Sequence, residues 1–128
     1  MIYENIYVGV WMEQPDMKPK RDATMTDIVD AVCQYYNIAM SELLERKRNC
    51  EVVLARQMGM TLSKHYFEHT SLKTIGIFYG DFDHTTVIHS IRTISNRCDT
   101  EDKILKQKND IIKLIETIRR NPQTELQS

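Results

Sequence analysis

SLKTIGIFYGDFDHTTVIHS, residues 71–90, is the stretch on which the reading of this chain turns. A short amphipathic segment runs into a turn bearing Gly80. A polar, threonine-rich helix start then follows at helix-turn-helix spacing. Asp83 is placed to cap the second helix, and Asp83, His84, Thr85 and Thr86 carry groups suited to base edges or phosphates in a DNA groove. The pattern points to DNA binding rather than catalysis.

The helix beginning here has two contrasting faces. Val87, Ile91, Ile94 and Cys98 recur at core-stripe spacing, while Thr85, His89, Arg92 and Asn96 project from the opposite side at about 100° per residue. That outer stripe is polar and carries no acid. Backbone N–H groups and the positive dipole end at its start favour a phosphate. A threonine methyl suits the thymine methyl, and His84 suits a base or phosphate. Asp83 suits a cytosine amino group or, as the cap, its own backbone. His89 reads as a surface residue.

Upstream, Thr24 with Asp27 predicts a capping box, followed by Met25, Ile28, Val29, Val32 and Tyr36 at helical spacing. Ser41 is expected to cap a short second helix bearing Leu43 and Leu44, and Asn49 a third with Val52, Ala55, Gly59, Leu62 and Tyr66 on one stripe. Gly59 inside that stripe costs about 1 kcal/mol relative to alanine, which predicts close packing of a neighbouring helix. Ser71 opens a fourth helix that ends near Gly80, and Asp83 a fifth running to about Arg97. Asp99 or Thr100 is expected to cap a sixth, with Ile104, Ile111, Ile115 and Ile118 inward and Pro122 as its stop. The fold class is therefore all-α, one domain of six helices.

Residues 1–22 differ from the rest. Ile2, Tyr3, Ile6, Tyr7, Val8, Val10 and Trp11 crowd apolar mass near the start, and Pro15 and Pro19 lie among Lys18, Lys20 and Arg21. The expected division is an aromatic arm and linker over 1–22, the helical domain over 23–121 and a tail over 122–128. The arm reads equally as packing on its own domain or as a hook, through residues 1–14, for a protein partner or a second copy.

Charge is uneven although the total is −1. Residues 1–45 carry three Lys/Arg against eight Asp/Glu, residues 46–97 carry eight against four, and residues 98–128 balance at six and six. A basic middle fits a phosphate-binding face. Cys33, Cys50 and Cys98 are odd in number and lack CxxC spacing, so a reducing cytoplasmic setting without disulfides is expected. No run of about 18 apolar residues offers a membrane span, and acidic Glu4 argues against a signal peptide.

With the spacing in hand, residues 24–118 resemble the C-terminal DNA-binding domain of the bacterial chromosomal replication initiator DnaA. The family signature GGRDHTTVLHA has its counterpart in GDFDHTTVIHS at 80–90, and ARQM at 55–58, SLKTIG at 71–76 and the tyrosines at 35–36 also correspond. The resemblance implies a helix-turn-helix of Trp-repressor type that reads DnaA boxes in double-stranded DNA, linking the chain to replication initiation or its regulation on the nucleoid. By position it implies base reading by Asp83, His84 and Thr85, minor-groove entry by Arg48, and phosphate contacts from Arg56, Gln57 and Thr86. Guanidinium suits a narrow minor groove, and its fork suits phosphate.

Departures from the family are informative. Asp81 and Phe82 replace its second glycine and arginine, removing a cation and adding an anion beside the groove. There is no GxxxxGK[ST] loop, so no nucleotide cofactor is implied, and the chain is expected to act without the initiator's ATPase portion. His65, Glu68 and His69 fit H-x-x-E-H, but at a helix end this reads as structural, and no metal is expected. Arg46, Lys47 and Arg48 also suit a solvated helix end, and Arg56 a surface bridge to Glu45 or Glu51. The alternative function is a protein-interaction module with weakened DNA binding, acting through the N-terminal arm.

Overall fold

The structure is a computed structural model that describes residues 22–45 and 49–120. The aromatic arm and linker, except for Asp22, together with Arg48 and the tail lie outside those residues. Six helices make up the described chain: α1 (Met25–Tyr36), α2 (Met40–Leu44), α3 (Cys50–Tyr66), α4 (Leu72–Phe78), α5 (His84–Thr100) and α6 (Asp102–Arg120). The all-α expectation holds, and among the described residues there is no strand.

Local chemistry accounts for most of the helix starts. Thr24 Oγ1 accepts from the Asp27 amide at 3.1 Å, and the Asp27 carboxylate accepts from the Thr24 amide at 3.0 Å, closing the expected capping box. Asn49 accepts from the Glu51 amide, and Ser71 from the Thr74 amide. α1 ends where Asn37 takes a left-handed conformation at φ 56, which asparagine tolerates.

Two starts differ from expectation. α2 begins before Ser41, because Glu42 reaches back to accept from the Ala39 amide at 3.1 Å. Likewise α5 runs through Asp99 to Thr100, so neither residue caps α6. Thr100 Oγ1 instead donates to the Asn96 carbonyl within its own helix, and the Glu101 carbonyl accepts the first amides of α6 from Ile104 and Leu105.

α3 is the centre of the packing, meeting α1, α2, α4 and α5, while α6 closes over α1 and α5. The run Met58, Gly59, Met60, Thr61, Leu62 and Ser63 within α3 is buried all round. Tyr79, fully buried, lies across Gly59. A Cβ there would stand 2.8 Å from the Tyr79 hydroxyl, which explains the glycine by close packing. That hydroxyl is 2.9 Å from Ser63 Oγ, so neither polar group is stranded in the core. On α6, Ile104, Ile111 and Ile115 are buried and Ile118 packs at the margin, while Tyr36 and Tyr66 donate to Gln107 and Glu116, each at 2.7 Å. Cys33 and Cys98 pack against the core, and Cys50 is exposed.

Candidate nucleic-acid interface

Close approach shapes the turn between α4 and α5. The Phe82 amide donates to the Gly76 carbonyl at 2.9 Å, and a Cβ on Gly76 would lie 2.0 Å from the Phe82 carbonyl oxygen. Gly80 has φ +120, and a side chain there would meet the Leu44 carbonyl at 2.6 Å. Asp81 follows at φ 62, a left-handed conformation that aspartate accepts more readily than most residues. These contacts press the turn onto both α4 and the end of α2, and they set the direction in which α5 leaves.

α5 buries Val87 and Ile94 and half-buries Ile91 and Cys98, so its opposite face is turned outward. Thr85, His89, Arg92 and Asn96 are all exposed on it. At the helix start Asp83, His84 and Thr85 are exposed and Thr86 is half-buried. Asp83 Oδ1 accepts from the Thr86 amide at 2.9 Å, and this bond above all holds its carboxyl below the usual range. The cap thus engages a carboxylate oxygen of a side chain that is itself exposed.

The expected DNA-contacting residues separate into groups. Asp83, His84, Thr85 and Thr86 come together on one helix start. Arg56 does not present the solvent-facing fork that was expected; it is only 6% exposed. Its Nε donates to the Leu43 carbonyl at 3.1 Å and its Nη2 to the Glu45 carbonyl, satisfying the end of α2. Its guanidinium also stacks over Phe82, 5.0 Å from the ring centroid. Gln57, half-buried, lines a different depression of about 380 Å³ with Cys50, Val53, Leu54 and Arg97. Arg48 lies outside the described residues.

Two residues unassigned by sequence reasoning lie beside the start of α5. Lys73 and Ile77 project from α4 into a depression of about 470 Å³ that they share with Asp81, Phe82, Asp83 and His84. Ile77 is 53% exposed, out of keeping with a core role. Both stand in the decisive stretch, but no periodicity distinguishes an outward lysine beside a site from one in plain solvent.

The H-x-x-E-H spacing is not a helical pair, because α3 ends at Tyr66 and His69 lies beyond it. His69 sits 3.8 Å from the Glu68 carboxylate, with both side chains exposed. Among the described residues no three His, Cys, Asp or Glu side chains converge to hold a metal, and no helix is long and apolar enough to cross a membrane.

The chain matches the family described as bacterial dnaA protein helix-turn-helix over residues 25–94. It is 35% identical over 96 residues to the chromosomal replication initiator protein DnaA of Chlorobaculum tepidum, covering 75% of this chain and 19% of that protein. To the protein of the same name from Bacteroides fragilis it is 36% identical over 78 residues, which cover 61% of this chain and 16% of the relative. The chain thus matches less than a fifth of the length of either relative. The match spans α1 to the buried Ile94 of α5 and includes the whole turn described above. By sequence, this chain belongs to the bacterial DnaA helix-turn-helix family, a family of DNA-binding domains.

Proposed function

We propose that this chain binds double-stranded DNA sequence-specifically at DnaA-box-like sites and thereby takes part in initiating replication or regulating it on the nucleoid. The observation that carries the reading is the exposed start of α5, with Asp83, His84 and Thr85 in solvent and the helix anchored by buried Val87 and Ile94. A helix held from behind with polar side chains at its leading end suits insertion into a major groove. In this reading His84 and Thr85 read base edges, and Asp83 accepts from a base. Thr86 and Gln57 hold phosphate, and Arg48 enters the minor groove. Arg56 acts by fixing the turn and the end of α2.

Electrophoretic mobility of a box-containing duplex against a scrambled one tests this directly. The box should be retarded at lower protein concentration, and affinity should fall with salt at a log–log slope of about −0.9 per neutralised phosphate. Equal affinity for both duplexes at every salt concentration would refute it.

A further inference from the structure

We infer that Lys73, on the helix preceding the reading helix, is a further DNA-anchoring residue of this chain. It offsets the carboxylates of Asp81 and Asp83 at the same edge. The inference rests on the duplex-DNA reading above and adds a residue to it from another helix.

Three observations converge. First, Lys73 lies in the first turn of α4, is exposed, and makes no hydrogen bond or ion pair among the described residues. Second, it lines the same depression as Asp81, Asp83 and His84, and it is the one lysine or arginine among the residues that do. Third, Phe82, which stands where the resemblance places an arginine, carries no charge and has its ring under the Arg56 guanidinium. That guanidinium is itself occupied with the Leu43 and Glu45 carbonyls.

The consequence is electrostatic. A duplex approaching the start of α5 meets two exposed carboxylates, and like charges within a Debye length of about 8–10 Å raise the cost of that approach. A flexible ammonium in the same depression adds a positive charge there and suits a phosphate oxygen. A contact of this kind fixes the position of the protein on DNA without reading sequence.

The experiment measures affinity for box and scrambled duplexes across a salt series, using the full chain and the variants Lys73→Ala, Lys73→Arg, Asp81→Asn and the Lys73→Ala/Asp81→Asn pair. Lys73→Ala should reduce the magnitude of the log–log slope by about 0.9, so the affinity lost between about 50 and about 200 mM salt shrinks about 3.5-fold. The loss should be alike on both duplexes, with an unchanged melting temperature. Lys73→Arg should retain the original slope. Asp81→Asn should raise affinity and, paired with Lys73→Ala, restore part of what that variant lost. An unchanged slope in Lys73→Ala, with box preference intact, would overturn the inference and leave the DNA reading standing. A parent chain that does not prefer the box would overturn both.

Discussion

The guanidinium carbon of Arg56 lies 5.0 Å from the centre of the Phe82 ring, joining α3 to the turn that launches α5. The same guanidinium holds the Leu43 and Glu45 carbonyls, so one side chain links the end of α2, the middle of α3 and the turn. Arg56→Ala should therefore destabilise the fold by about 1–3 kcal/mol, because buried acceptors lose their donors. Arg56→Lys should recover little, since an ammonium lacks the planar fork and stacks less well. Urea unfolding of both variants checks this; a loss of DNA binding at unchanged stability would instead mark a direct phosphate contact.

Packing around Gly59 leads to a second expectation. A Cβ would fall 2.8 Å from the Tyr79 hydroxyl and 2.9 Å from its ring, in a fully buried setting. Gly59→Ala should cost about 1–3 kcal/mol through overpacking, despite the better helix propensity of alanine. Thermal unfolding that showed Gly59→Ala to be stabilising would contradict the described approach of α3 and the end of α4.

The turn itself supplies a third. Gly76 faces the Phe82 carbonyl so closely that a methyl group would stand 2.0 Å from backbone oxygen, which has no flexible end to move aside. Gly76→Ala should displace the start of α5 and lower DNA affinity together with stability. Matched melting curves and binding titrations would show both effects, and retention of both would exclude this geometry.

Asp83 adds a pH dependence. Its folded-state pKa is lowered, chiefly by the Thr86 amide, so its stabilising contribution is present above the unfolded value of about 3.9 and is lost as pH falls through the lower folded value. Asp83→Asn, which keeps the cap without the charge, should weaken the dependence of stability on pH between about 5 and the acid limit. Unfolding measured across that range decides: curves for the two proteins that stay parallel would remove Asp83 as a contributor.

Discrimination between DNA sequences should reside in the exposed start of α5. His84→Ala and Thr85→Ala should each reduce the preference for box over scrambled duplex by about 1–3 kcal/mol, with affinity for scrambled DNA nearly unchanged. Equal losses on both duplexes would reassign these residues from base reading to backbone contact.

Caps at Thr24, Asn49, Ser71 and Asp83, the inward stripes of α5 and α6, and the helix-turn-helix itself could be read from residue order alone. The caps and stripes depend on neighbours two to four positions away, and such interactions are written into the local sequence. The burial of Arg56, the shared depression of Lys73 with Asp83, and the approach of Tyr79 to Gly59 were decided only by tertiary structure. In each case the partner belongs to another helix, brought into range by packing around α3. The overrun of α5 past Asp99 is a different case: Thr100 had two local hydrogen-bonding roles open to it, and it bonds back to Asn96 in its own helix. Residue order supplies the chemistry of a contact, but chain folding determines which distant groups meet to make it.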